Sequence, residues 1–226
     1  MQSLQHVTAI IINYKTLDLT AHCVESFLEA YPTVRLILID NGSHDSSTDY
    51  LRTVVARHGN VSGIFNYKNR YHGPAMHQGI VASNTRYVFT LDSDSAVLRT
   101  GFLEAMLAQF SNPDTYAVGS LRFMDRFGFD LLPGTRCYTH YIHPAMMLLD
   151  RAKYLTLTRF IHHGSPCLRN MYAAQRRGYR LCDFPVQDFC LHLGRGTCSR
   201  YGYGLSVKTL IESYISKWLS LGSRLH

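Results

Sequence analysis

The chain has 226 residues, 46% of them hydrophobic and 17% charged, with a formal net charge of +7 at pH 7. That balance suits a globular core rather than a disordered chain, and no apolar stretch is long enough to span a bilayer. The charge is uneven. Residues 1–113 hold 8 Lys/Arg against 9 Asp/Glu, while residues 114–226 hold 15 against 7, so either the second half meets an anion or it simply carries a solvated basic face.

The first half alternates two hydrophobic periods. Val7 to Ile12 is a continuous apolar, β-branched run that predicts a strand buried on both faces of a parallel sheet. Leu17, Ala21, Val24, Phe27, Leu28 and Tyr31 recur at helical spacing, and Pro32 closes that helix. Leu36 to Ile39 predicts a second strand, which runs into Asp40-Asn-Gly-Ser43. Ser46-x-x-Asp49 then reads as a capping box opening a helix to about His58. Val61 to Tyr67 is a weaker strand. After a polar loop to His72-Gly73, Pro74 suits a first helical turn and the helix runs through Ile80 and Val81. Tyr87 to Leu91 is again a buried-strand pattern, ending on Asp92-Ser-Asp94, followed by a helix from Thr100 to Phe110 and a strand from Tyr116 to Phe123. Such alternation predicts an α/β doubly wound domain whose ligands lie at the carboxyl ends of the strands, where Asn13, Asp40 and Asp92 all fall.

The second half is less regular. Residues 123–141, rich in Gly, Arg and aromatics, predict a long loop or irregular hairpin. Ala145 to Leu149 reads as a strand, Asp150 as the cap of a short helix, and Pro166 to Gly178 as a helix with a glycine stop. Tyr179 to Val186 and Phe189 to Leu193 resemble strands. From about residue 205 to 226, Val207, Leu210, Ile211, Tyr214, Trp218 and Leu219 form one stripe of an amphipathic helix, able to dock on the core, pair two copies into a homodimer, or meet a membrane surface. The six cysteines form no C-x-x-C pair and are too sparse for a disulfide scaffold, so reduced thiols in a cytosolic protein are expected. Met1 to His6 lacks a basic region, and Asn13 and Lys15 cut the apolar run after it, so no signal peptide is expected.

Chemistry enters at Asp92-Ser-Asp94. Two carboxylates spaced i, i+2 at a strand end can turn toward one hard cation, Mg²⁺ or Mn²⁺, which prefers oxygen ligands and leaves room for substrate phosphates. Their plain alternative is a turn. Four motifs in order, Ile11-Ile-Asn13-Tyr14-Lys15, Ile39-Asp40-Asn41-Gly42-Ser43, Asn69 through Gly79, and Leu91-Asp92-Ser93-Asp94, together resemble the inverting glycosyltransferases of family 2, which have the GT-A fold. The resemblance covers residues 6 to 110 well and 140 to 200 more loosely. It implies one domain over residues 1–226: a Rossmann-like, mostly parallel sheet flanked by helices, with a smaller mixed sheet on the acceptor side. Residues 1–115 would bind a nucleoside-diphosphate sugar, and 116–204 would serve the acceptor and catalysis.

The same resemblance implies site roles. Asn13 and Tyr14 would lie against the nucleotide, and Asp40 would accept a hydrogen bond from a base N–H. Asn69 and Gly73 would line the sugar or ribose pocket, Gly73 by letting the backbone come close to the ligand. Asp92 would hold the ribose or a metal-bound water, Asp94 would ligate Mn²⁺ or Mg²⁺ across the diphosphate, and His192 would add a further metal ligand. Arg195 and Arg200, on a Gly-rich loop, would close over the donor and neutralise the departing diphosphate. An inverting transfer also needs a base for the acceptor hydroxyl. Relatives place an acid just before the helix ending in Gly-Tyr-Arg, but no acid stands between Asp150 and Asp183 here. His163 or His162 replaces it, or the base comes from elsewhere, such as Asp183, Asp188 or the acceptor complex.

The expected partners are a nucleoside-diphosphate sugar and a saccharide or lipid-linked acceptor, for a cytoplasmic enzyme in surface polysaccharide or glycoconjugate synthesis that contacts the inner membrane face peripherally. Three alternatives stand beside it. A catalytically degenerate nucleotide-sugar-binding protein would keep the donor half only. A nucleotidyltransferase would want a Gly-rich phosphate loop after the first strand, where Asn13-Tyr14-Lys15-Thr16-Leu17 has no glycine. A basic nucleic-acid-binding module would want a recognition motif, and none is present, so no nucleic acid is expected.

Overall fold

The computed structural model describes residues 3–125, 129–134, 136–161, 165–194 and 200. Strands β1 (Val7–Asn13), β2 (Arg35–Asp40), β3 (Val61–Phe65) and β4 (Tyr87–Asp92) alternate with helices α1 (Leu17–Ala30), α2 (Ser46–Arg57) and α3 (His72–Ala82). β5 (Ser95–Val97), α4 (Phe102–Ala108), β6 (Thr115–Met124), β7 (Asp130–Leu131) and β8 (Thr139–Asp150) follow. The described chain closes with α5 (Arg151–Leu155), α6 (Leu168–Arg176), β9 (Arg180–Asp183) and β10 (Cys190–His192).

The main sheet has eight strands in the order β3-β2-β1-β4-β8-β6-β7, with β9 beside β6. The first four are parallel, and β8 and β6 continue the same sheet antiparallel. The apolar runs are continuous because both faces are covered. Ala9, Ile11, Leu36 and Leu38 face a core filled by Cys23, Val24 and Phe27 of α1, Leu51 of α2 and Phe102 of α4. Ile10, Ile37 and Ile39 face the other core, against Ala75, Met76 and Ile80 of α3 and Leu168 and Met171 of α6. A second sheet is small: β10 lies antiparallel to β5, and its register places His192 opposite Ser95.

Two local readings are corrected. Asp45 rather than Ser46 caps α2, its carboxylate accepting from Ser47 N at 3.0 Å, because Ser46 is already helical. β8 begins at Thr139 rather than Ala145: Thr139 to Ile142 pair with Leu121 to Met124 after a register shift at Gly119. There the added Cβ of any other residue would lie 2.6 Å from the Met146 carbonyl oxygen. Within the predicted irregular hairpin, β7 pairs with Phe123 and Met124. Asp150 does cap α5, accepting from Lys153 N at 3.1 Å. The amphipathic segment at 205–226, with Arg195, His162 and His163, lies outside the described residues. Among the described residues no helix is long and apolar enough to cross a membrane, and five cysteines are free thiols.

Candidate active site

The carboxyl ends of β1, β2, β3 and β4 meet at one edge, and the loops leaving them are tightly made. Three non-glycine residues there adopt positive φ: Lys15 after β1, His44 after β2 and Tyr71 after β3, at 59°, 53° and 67°. Side chains in this region are strained unless their surroundings hold them, and such strain gathers at functional edges.

The holding groups are Asn13, Asp40, Asn41 and Asn69. Asn13 is 1% exposed, and its amide nitrogen lies 3.3 Å from Asp40 Oδ1, 3.0 Å from Ser43 Oγ and 2.8 Å from Ser47 Oγ. Its oxygen accepts from Thr16 N–H and from the Thr16 and Thr20 hydroxyls. The Asn13 side chain, expected from sequence to lie against the nucleotide, is hydrogen-bonded within the protein and ties the β1 loop to the β2 loop, as a buried amide must satisfy its own polar atoms. Asp40 is 2% exposed and accepts from Ser43 N–H and Asn13 on Oδ1 and from Thr48 Oγ1 at 2.6 Å on Oδ2. A base N–H would have to join a carboxylate already holding three hydrogen bonds. Asn69 Oδ1 accepts from Tyr71 N–H at 2.7 Å and Asn41 Nδ2 at 3.0 Å, shaping its own loop. Tyr14 is half-buried, with the Lys15 ammonium 5.4 Å from its ring centre.

Gly73 does meet a backbone closely, but that backbone is the protein's own. A Cβ there would sit 2.7 Å from the carbonyl carbon and oxygen of Ile161, so the glycine is the seam joining α3 to the segment before α6.

Across from these loops lies the acidic edge. Asp92 ends β4, Asp94 follows in the turn, and His192 arrives on β10; one ligand atom from each lies within 4.8 Å of the others. His192 Nε2 is 3.2 Å from Asp94 Oδ1 and 3.8 Å from Asp92 Oδ2. Backbone pairing makes this meeting reproducible: Leu193 N–H donates to the Asp94 carbonyl at 2.9 Å, and the Cys23 thiol of α1 reaches the Asp92 carbonyl at 3.4 Å. The Asp94 side chain is 10% exposed and that of His192 31%, so the cluster opens to solvent without being a surface patch. Two carboxylates and an imidazole, converging with open positions remaining, fit Mn²⁺ or Mg²⁺. The Asp94 hydrogen bond raises His192 above the usual imidazole range, with both carboxylates adding to it and burial opposing.

Two imidazoles complete the rim. His72, first residue of α3, places Nε2 3.5 Å from Asp92 Oδ1. His143 of β8 has its ring centre 5.9 Å from that of His192; burial lowers its pKa, and its Nδ1 accepts from Ala145 N–H at 3.4 Å. His72 stood in the sequence motif without a role. His143 carried no local signal beyond a polar residue in an apolar strand. Arg200 reaches the same edge as a bidentate pair with Asp18 in the first turn of α1, at 2.6 and 2.7 Å.

The family model described as Glycosyl transferase family 2 matches residues 8–175. No curated protein matches the sequence. Among solved structures, the mannosyltransferase PcManGT from Pyrobaculum calidifontis, in complex with GDP-Man and Mn²⁺, aligns with a TM-score of 0.66 and 15% identity over 80% of this chain and 55% of that one. GalNAc-T7 with UDP, GalNAc and Mn²⁺ aligns with a TM-score of 0.67 and 14% identity over 82% of this chain and 43% of that one. S. aureus TarS gives 0.60 and 12%, over 79% and 35%. The chain thus spans about half, or less, of the length of these structures, and at such identities the likeness is one of fold: GT-A.

Proposed function

The chain belongs to glycosyl transferase family 2, and on that footing we propose that it moves a sugar from a nucleoside-diphosphate donor to a hydroxyl acceptor with inversion, using Mn²⁺ or Mg²⁺ at Asp92, Asp94 and His192. The observation that carries this reading is the convergence of those three side chains within 4.8 Å at the carboxyl edge of a GT-A sheet. A divalent ion there would neutralise charge developing on the leaving diphosphate. Asp94, the least exposed of the three, is the principal ligand in this reading, and His72 is near enough to Asp92 to orient that carboxylate. Tyr14 offers an aromatic face beside the nucleotide loops, and Arg200 a guanidinium at the same edge. For Asp40 and Asn69 a donor role runs through the loops they shape. His163 or His162 is the proposed base, and Arg195 the proposed partner of the departing diphosphate. Residues 1–115 and 116–204 would serve donor and acceptor respectively, with an acceptor in surface polysaccharide or glycoconjugate synthesis at the inner membrane face.

A panel of nucleotide sugars with Mn²⁺ or Mg²⁺, scored by thermal stabilisation and by slow donor hydrolysis, tests this. A ligand at a hundred times its Kd stabilises the fold by about 2.7 kcal/mol. One donor should stabilise the wild type only with metal, and Asp94→Ala should abolish that dependence. No response to any donor, or a response in Asp94→Ala with unchanged metal dependence, would sink the proposal.

A further inference from the structure

A groove of about 1070 Å³ runs along the exposed side of α3, walled on the opposite side by Arg159, Phe160 and Ile161. It starts beside Tyr71, one residue from the His72 that touches Asp92, and ends at Ala82. Eleven helical residues make that path about 16 Å long at 1.5 Å each. Its lining includes three cations, Lys68, Arg70 and Arg159, and no carboxylate. Apolar surface from Ile64, Pro74 and Val81 lies between them.

The polar parts are held in place. Asn41 accepts from Arg70 N–H at 3.1 Å and from Asn66 at 3.2 Å, and donates to Asn69, so the loop bearing Lys68 and Arg70 is tied to the end of β2. The Gly73–Ile161 seam holds Arg159 opposite them. His77 lies on the groove with Nδ1 2.8 Å from the Tyr154 hydroxyl, which itself accepts from Phe160 N–H. Because the Tyr154 hydroxyl already accepts from Phe160 N–H, its own proton is satisfied by donating to Nδ1, and in that tautomer Nε2–H is a further donor.

Building on the transferase reading above, we propose that acceptor contact extends beyond residues 116–204 onto α3, and that this groove binds the phosphate groups of the acceptor: a chain in which phosphodiester or phosphomonoester groups alternate with carbon, its reacting end at the Asp92 edge. The donor diphosphate has the acidic cluster and its cation. A phosphate away from that cation needs guanidinium, ammonium and N–H donors, and the groove supplies these with apolar surface between. Such phosphates come from a lipid headgroup or from a soluble phosphodiester polymer, and the groove chemistry is shared by both.

The test measures binding of a soluble glycerol-phosphate oligomer, of phosphatidylglycerol-containing vesicles against phosphatidylcholine alone, and of a single-stranded oligonucleotide of equal charge. Each is measured on wild type, Lys68→Gln/Arg159→Gln and Val81→Glu, with thermal melts confirming that the variants fold. The oligomer or the anionic vesicles should bind wild type and weaken at least tenfold in both variants; which one binds identifies the source. No binding by either, equal binding to the variants, or an oligonucleotide that binds as tightly and weakens equally would overturn the assignment. Binding of UDP and GDP with Mn²⁺ is read in the same samples. Nucleotide binding without phosphate binding refutes the groove alone, whereas its absence strikes at the transferase reading instead.

Discussion

Replacing Gly73 by alanine would place a methyl group 2.7 Å from the carbonyl carbon and oxygen of Ile161 and 2.9 Å from its nitrogen. These are main-chain atoms, so no side-chain rotation relieves the overlap; either α3 or the 159–161 wall must move. Overpacking of this kind costs about 1–3 kcal/mol, and the better helix propensity of alanine returns up to about 1 kcal/mol. The net loss lies between about 0 and 3 kcal/mol, about 1.5 kcal/mol at the middle of that range. At about 2–4 °C per kcal/mol for a chain of this size, that middle value lowers Tm by about 3–6 °C. Gly59→Ala is the matched control, since nothing lies within 4 Å of its added Cβ. Because His72 precedes Gly73, the seam also sets the distance from that imidazole to Asp92, so Gly73→Ala should weaken metal-dependent donor stabilisation as well. Differential scanning fluorimetry of both variants, with and without Mn²⁺ and donor, reads both effects. A Gly73→Ala protein as stable as wild type would refute the close approach.

Asn13→Ala should destabilise the metal-free, donor-free protein by about 2–4 kcal/mol in urea melts, because buried hydroxyls and the Asp40 carboxylate lose partners; a variant that lost only donor binding would contradict the buried role. The His192 pKa is raised in the fold, so its proton stabilises the metal-free protein fully below the ordinary value of 6.5, and that stability is lost as pH rises through the folded value. In chelator, Tm should fall over that window more in wild type than in His192→Asn, and stabilisation by Mn²⁺ should grow over the same window as the proton leaves. Equal pH slopes in the two proteins would remove the Asp94–His192 pair. For the base, His163→Ala and His162→Ala are compared over a pH series with a responding donor and acceptor; one should lose most of its transfer rate, and full rates in both would pass the role to another group.

Most of the fold of residues 1–115 was legible along the chain. Continuous apolar runs and period-3.6 patterns alternate from Val7 to Phe110, and a strand covered on both faces needs no partner information to be recognised. The early start of β8 was not legible, since Thr139, His140 and His143 break the apolar pattern and pair only because Gly119 lets β6 shift register. β5 was too short to register as a strand. Asn13 and Gly73 show the limit for sites. Both residue types were placed at the right edge, yet the group that each satisfies is a neighbouring protein loop, information that spacing does not carry.

By itself the sequence determined the alternation of strand and helix, the strand edge that holds Asn13, Asp40 and Asp92, and the acid pair Asp92 and Asp94, because these depend on residues near one another in the chain. Only the tertiary structure decided what stands around that pair. β10 must lie against β5 in one register for His192 to face Asp94, α3 must start at His72 for an imidazole to reach Asp92, and β8 must cross beside β4 to bring His143 to the rim. Those contacts join residues far apart in the chain, through backbone pairing and packing that no local pattern encodes.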